Sequence, residues 1–474
     1  AFSGLGTMAN KRKKISRREF LKLAGLATSS VAAGTLKPFV EKRSAFSQKK
    51  KMMDDAGRAK RPWWVREVDK PTVDIDWGNM QRFDARMAAR GSGFINYVGQ
   101  EEFERLNKVA AENEKERLLK NVPGYTLKDQ ALAAAQANAS TQRRFFLGPQ
   151  NTKTPAERGI SIWKGSSDDA ARILRVAMRH FGAATIGFVE LNEQTRKLIY
   201  SYDTDGKEIV FEDVEEAYET DQKRIIPHKA KWVIVYAVQM STDALKRAPT
   251  VIAEQTTILS YSRALDIQNR TQEFLRGLGY QCLGEANVNG LGIAPAFAVM
   301  AGLGELARHN RVVTPEFGPM VRIFKMITDL PVTMDKPIDA GIMEFCKTCK
   351  KCAETCPASA LSLDDEPAWK VQGKWNNPGH KAYFEHSLKC RTYMKEGAGT
   401  NCSICFSVCP FAKKNKAWIH NWVKAGISSI PSLDAMLRSL DDAFSYGAQK
   451  SPEEWWWLNL PEYGIDTEQT IDQE

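Results

Sequence analysis

Residues 345–357 read FCKTCKKCAETCP: four cysteines with two, two and three residues between them, and a proline directly after the last. Cys390, Cys402, Cys405 and Cys409, followed by Pro410, repeat the C-x-x-C-x-x-x-C-P order with one cysteine set twelve residues ahead. Eight of the nine cysteines therefore fall between 346 and 409. Disulfides could use them, but a cluster this local cannot brace a chain of 474 residues. Two four-cysteine zinc sites are a second option, although zinc motifs rarely run this order twice. The spacing is that of paired [4Fe–4S] clusters. Three thiolates on one tight loop reach three irons of a cube, and the fourth points to a second cube. The wiring then crosses: Cys346, Cys349, Cys352 and Cys409 hold one cluster, and Cys390, Cys402, Cys405 and Cys356 hold the other. Cys282 is left as a buried, inert thiol.

Two clusters account for a small part of the chain. Its length predicts several domains. We divide it into a leader (1–50), an N-terminal unit (51–155), a core (156–335), the two-cluster domain (336–425) and a C-terminal extension (426–474). The net charge of +10 is uneven: residues 1–61 carry +12, and the remainder is near −2. The basic character thus belongs to the N-terminal segment and says little about what the folded body binds. The leader, KRKKISRREFLKLAGLATSSVAAGTLKPFV, has paired Arg17 and Arg18, then Phe20-Leu21-Lys22 and a mildly apolar run. It resembles a twin-arginine export signal, cleaved somewhere between about Ala33 and Lys51. That route carries proteins folded around a cofactor. No apolar run is long enough to predict a membrane-spanning helix.

The core alternates helices and strands. SSDDAARILRVAMRHFGA opens with capping residues and places Ala170, Ile173, Leu174, Ala177, Met178 and Phe181 on one face. ATIGFVEL, KWVIVYAVQM and VRIFKMITDLPV read as strands, the second as a fully buried one. A long helix is predicted over 251–279 and another over 294–310. The pattern predicts an α/β or α+β fold. In the N-terminal unit, EEFERLNKVAAENEKERLL and QALAAAQANAS read as helices, and RPWWVREVDKPTVDIDW as an extended arm over another surface. There is no Walker loop, no nucleophile elbow and no H-x-x-x-H pair, and the glycines of NVNGLGIAP make only a weak dinucleotide signal. Of Trp455, Trp456 and Trp457, one or two are expected to cover the core and one to face a partner or a membrane surface.

The assembly of a twin-arginine leader, this core and crossed cluster motifs resembles the respiratory reductive dehalogenases. The resemblance rests on SRREFLK, YSRALDIQNRTQEFLRGLGY, FGPMVRIFKMITDLPVTMDKP and EFCKTCKKCAETCPASA, and spans roughly 160–425 beside the leader. It implies a nitroreductase-like core that buries a corrinoid of the cobalamin type, with no histidine ligand to cobalt, and a ferredoxin-like domain whose two [4Fe–4S] clusters feed it electrons. It implies that Tyr261 is the proton donor, Arg322 its cationic partner and Asn287 a residue of the pocket. The substrate would be an organohalide, such as a small chlorinated aliphatic. A small membrane anchor protein, a membrane electron donor, a homodimer and a place on the outer face of the cytoplasmic membrane follow by the same analogy, and no nucleic acid is expected. The alternatives are an epoxyqueuosine-reductase-type corrinoid enzyme, which the leader and the charge of the body oppose, an electron-transfer subunit without substrate, and a flavin nitroreductase fused to a ferredoxin.

Overall fold

The three segments that read as strands assemble with a short fourth, Cys282–Leu283, into one antiparallel sheet. The computed structural model describes residues 53–138, 143–412, 438 and 447–465. The twin-arginine leader lies outside the described residues, as do 413–437 and 439–446 within the cluster domain and C-terminal extension. We number helices α1 (Gln100–Leu119), α2 (Leu127–Asn138) and α3 (Ser167–His180), then α4 (Val251–Leu278) and α5 (Ala294–Met300). Strands are β1 (Thr185–Glu190), β2 (Trp232–Gln239), β3 (Cys282–Leu283) and β4 (Val321–Thr328). The sheet order is β1-β2-β4-β3, every pair antiparallel, so the core is of the α+β kind.

Strand β2 is apolar throughout because both faces of the sheet are covered. Ile234, Tyr236 and Val238 pack with Leu174 and Met178 of α3, Ala264 and Ile267 of α4, and Phe324 and Met326 of β4. Val233 and Val235 point the other way, toward Phe297, Ala298 and Val299 of α5. Helix α3 starts at a capping box, with Ser166 and Asp169 satisfying each other's backbone N–H groups, as the sequence predicts. Helix α4 starts at Thr250, whose hydroxyl accepts from the Ala253 N–H, and stops at left-handed Gly279.

The helix predicted over 294–310 is shorter than expected. It stops at Met300, and Glu305–Leu306 instead pairs with Val312–Val313. Gly302 turns the chain with φ +65, and a Cβ there would meet the Lys336 carbonyl at 2.1 Å. Backbone contact therefore overrides the apolar periodicity. The arm reading holds: Arg66–Glu67 pairs with Ile338–Asp339, and the following residues run along the core toward the cluster domain. Trp455 is buried against Ala244 and Ile252, while Trp457 is 89% exposed.

Beneath β4 lies an ion pair without solvent contact. Lys325 Nζ donates to Glu285 Oε1 at 2.5 Å, and both side chains are 0% exposed. Breaking such a pair strands a charge in the interior, at a cost of roughly 3–5 kcal/mol. Lys325→Met alone should lower unfolding free energy by about that much in denaturant titration, and the double variant Lys325→Met/Glu285→Leu should recover most of it.

Candidate active site and cluster loops

The two cysteine motifs fold alike. Helix α6 (Ile342–Cys349) carries Cys346 and Cys349, and the one-turn α7 (Lys351–Glu354) carries Cys352. The one-turn α9 (Ile404–Ser407) carries Cys405 and follows Cys402. In each motif the residue after the first cysteine of the central C-x-x-C, Lys350 or Ser403, is left-handed, with φ 49 and 56. That conformation is uncommon for a residue with a Cβ. Here it re-aims the chain so that successive thiols turn toward a common interior. No cysteine is disulfide-bonded. The thiols lie close enough to feel one another: Cys352 feels Cys346, Cys405, Cys409 and Cys349, and Cys402 feels Cys356. Cys405 feels Cys390 and Cys402, and it also couples to Cys352 across the gap between the two sets. Among the described residues, no three His, Cys, Asp or Glu side chains converge closely enough for a single metal ion. Burial pushes the Cys390 and Cys402 thiols up to about 11 and Cys346 to about 12, so ionisation must come with iron.

The core grips these loops at several points. Glu305, buried on the turn that interrupts the predicted helix, accepts from the N–H groups of Ala340 and Ile342 at 2.8 and 3.0 Å, anchoring the start of α6. Gly318, left-handed ahead of β4, lies against the Phe411 carbonyl, which a Cβ would approach to 2.2 Å. Glu254 of α4 accepts from Asn401 Nδ2 at 2.7 Å and from the Thr400 hydroxyl, fixing the loop before Cys402. Cys390 lies on α8 (Ser387–Tyr393), and the turn after it is held by Arg117, Asn113 and Arg105 of α1. The N-terminal unit, which showed no chemistry in the sequence, thus buttresses a cluster ligand.

Between core and cluster domain lies a cavity of about 500 Å³. Tyr261, Arg322 and Phe406 all line it, joining residues far apart in sequence. Two periodicities bring them together. Thr257 and Tyr261, one turn apart on α4, share a helix face, and Arg322 and Phe324, two apart on β4, share a strand face. Arg322 Nη2 donates to Thr257 Oγ1 at 3.3 Å. Its guanidinium lies 5.7 Å from the Tyr261 ring and 5.9 Å from that of Phe406, the neighbour of Cys405. The Tyr261 ring meets Phe324 edge-on at 5.5 Å, and its hydroxyl donates to Asn289 Oδ1 at 3.0 Å. Asn287 is not among the residues lining the cavity; Asn289, in the same turn, is. The turn needs left-handed Asn289 and Leu291, both with φ 60, which explains the glycine- and asparagine-rich NVNGLG.

Sequence reasoning missed the other side of the cavity. Val73, Ile75 and Trp77 come from the extended arm, Arg90 follows it, and Trp375 and His380 come from the segment between the cysteine motifs. Their only advance signal was the aromatic content of the arm. Arg90 and Arg311 also flank Cys390 and Cys405, sharing the buried carboxylate of Glu385, with Arg311 Nη2 at 2.5 Å and Arg90 Nη1 at 3.8 Å. Burial alone would push Glu385 up, but the two guanidiniums hold it below the usual carboxylate range. Burial pushes Arg322 down, and Tyr261 opposes that shift while Arg90 and Arg311 add to it. The cavity wall is therefore cationic where it meets the second cysteine set, which suits negatively charged cluster thiolates.

The family model for the reductive dehalogenase subunit matches residues 60–332, more than half of the 474-residue chain. This chain belongs to the reductive dehalogenase family. A 4Fe-4S double cluster binding domain matches residues 345–412, the span of all eight loop cysteines, so the dehalogenase carries two [4Fe–4S] clusters there. The tetrachloroethene reductive dehalogenase of Sulfurospirillum multivorans is 32% identical over 97% of this chain and 96% of its own. The trichloroethene reductive dehalogenase of Dehalococcoides mccartyi is 26% identical over 96% and 98%. A solved reductive dehalogenase structure, described in terms of B12-dependent dehalogenation, has a TM-score of 0.58 at 20% identity and covers 83% of this chain. The dehalogenase spans about half of that structure, 50%, and the likeness there is one of fold. Matches over nearly the whole length favour an organohalide-reducing oxidoreductase over the epoxyqueuosine-reductase and electron-carrier alternatives.

Crossed ligation has a direct signature. Cys356→Ser and Cys402→Ser should perturb the same cluster signal in electron paramagnetic resonance, Cys409→Ser the other, with iron falling from about eight toward about four per chain in each. The cavity also contains a source of acid sensitivity. Burial pushes His380 down from 6.5 to about 4. Between those values the unfolded chain binds a proton that the folded chain does not, so stability falls as pH falls, by at most about 1.4 kcal/mol per pH unit from this residue. His380→Gln should flatten that part of the stability–pH curve, measured by chemical unfolding between pH 6.5 and 4.

Proposed function

We propose that the dehalogenase replaces a halogen of a small chlorinated aliphatic with hydrogen, using a corrinoid seated in the cavity beside the second cluster. The observation that carries this is the meeting of Tyr261, Arg322 and Phe406 on one cavity wall. The residues suit a corrinoid. The cavity is broad and largely apolar, and it presents buried polar atoms with no protein partner, Asn377 Nδ2 and Arg322 Nε. The amide-fringed rim of a corrin offers acceptors to such donors. Val73, Ile75, Met80, Trp375 and Asn377 would hold the macrocycle. The corrinoid would supply the low-potential metal that breaks the carbon–halogen bond.

The chain's own residues manage the proton and the halide. Two electrons and one proton convert the carbon–halogen bond to a carbon–hydrogen bond and halide. Tyr261 gives the proton from its hydroxyl, which Asn289 holds in place. The Arg322 guanidinium favours the phenolate left behind and attracts the departing halide. Trp77, Tyr200, Trp375 and Phe384 shield the site from water and give flat, polarisable walls to a chlorinated carbon skeleton. The full-length relatives act on tetrachloroethene and trichloroethene, which supports that substrate class. The SRREFLK leader supports export by the twin-arginine route to the outer face of the cytoplasmic membrane, where a small anchor protein and a membrane electron donor would meet the enzyme, itself a homodimer. No helix among the described residues is long and apolar enough to cross a membrane.

Air-free enzyme reconstituted with corrinoid should release chloride from chlorinated ethenes with a low-potential donor. Tyr261→Phe should cut the rate by about 10²–10⁴, the usual scale of a lost general acid, with cobalt and iron contents unchanged. Retained turnover in that variant would remove the proton-donor role, and failure of the wild type to bind cobalt would remove the corrinoid.

A further inference from the structure

His309 is 2% exposed, and apart from a contact with its own backbone its ring nitrogens meet no hydrogen-bond partner. Buried polar atoms are nearly always paired, so two orphans on one ring call for a missing partner. The ring lies 5.3 Å from that of Phe406, between Cys405 and Cys409 in sequence. Its charged neighbours are Arg311 and Glu385, which also flank Cys390 and Cys405. Asn310 and Arg311 line the cavity but His309 does not, and Arg308 just before it donates its backbone N–H to Cys346 Sγ at 3.5 Å, which puts this stretch of chain against the cluster loops. Burial pushes the imidazole down to about 3, with Arg311 pushing the same way and Glu385 opposing, so the ring is neutral near neutral pH. A neutral imidazole has one N–H to give and one lone pair.

We infer that His309 donates its ring N–H to a sulfur of the cluster held by Cys390, Cys402, Cys405 and Cys356, raising that cluster's reduction potential. The inference rests on the two-cluster reading of residues 345–412 and concerns one positioning residue within it. Adding an electron increases negative charge on the cluster sulfurs. A hydrogen bond to sulfur therefore favours the reduced form. The remaining nitrogen is an acceptor, and a buried water can satisfy it. With Arg90 and Arg311 on the same wall, this cluster becomes the more easily reduced of the pair, and electrons arriving at the Cys346 set run downhill toward the cavity.

The test is a redox titration of the purified enzyme, followed by electron paramagnetic resonance, in wild type, His309→Phe and His309→Gln. The phenylalanine keeps the packing on Phe406 and removes the donor; the glutamine restores an N–H. The expected result is that His309→Phe shifts one of two midpoint potentials downward by about 59 mV or more, equivalent to at least a tenfold change in the one-electron equilibrium. The other stays put, iron remains at about eight per chain, and His309→Gln recovers part of the shift. The signal that moves should be the one perturbed by Cys402→Ser. Unchanged potentials with full iron content, or a shift in the Cys409-dependent signal alone, would overturn the assignment. Iron lost from His309→Phe but kept in His309→Gln with both potentials at their wild-type values would overturn it too. An iron content of about four in the wild type would instead remove the two-cluster reading itself.

Discussion

Thiolates that bind an iron–sulfur cube must be buried to keep water from the cluster, yet four negative sulfurs in a dry interior repel one another. In this chain two short cysteine motifs within residues 345–412 meet that demand; in the crossed wiring that the spacing predicts, each would lend its last cysteine to the other's cluster. Lys350 and Ser403 accept left-handed backbone to make the turn. Arg90, Arg311 and Arg308 bring compensating charge and N–H donors to the loops, with the Arg308 N–H 3.5 Å from Cys346 Sγ. Contacts with the core hold these loops in place. Gly318 gives up a side chain to let Phe411 approach, Glu305 anchors α6, and Glu254 ties down the approach to Cys402.

That arrangement also makes the cavity. The wall that carries Phe406 and Arg311 faces the sheet and α4, and the space left between them is closed by the arm running from Val73 to Trp77. A helix face and a strand face bring Tyr261 and Arg322 into the same space. One side of Arg322 meets the tyrosine and another meets Phe406, so the tyrosine we propose as proton donor and the cluster loop share one cation. A reaction that consumes electrons and a proton at one carbon needs that proximity. The cavity belongs to neither domain alone, since residues of both line it.

Legibility in the sequence followed the range of the interaction. Cluster chemistry was plain from spacing, because all the information needed to place three thiols on one loop lies within a dozen residues. The buried strand at 232–239 and the capped helix at 167–180 were plain for the same reason: periodicity and caps are local. The helix predicted to 310 failed where Gly302 meets the Lys336 backbone, a contact with a segment more than thirty residues away. Asn287 was read as a pocket residue from resemblance, and its neighbour Asn289 is the one that takes the Tyr261 hydrogen bond. Arg90, Trp77, Trp375 and His309 carry no local signature; an arginine in an arm or a histidine after an arginine reads the same on any surface.

The order of the cysteines and the pattern of apolar residues determined by themselves that the chain holds two iron–sulfur cubes beside a core of mixed helices and strands. What they left open was which side chains share a cavity. That was decided by how β4 lies against α4, how the arm crosses both and where the cluster loops dock. Those choices depend on burial and backbone contact between segments distant along the chain, and such contacts leave no repeating pattern in the residues that make them.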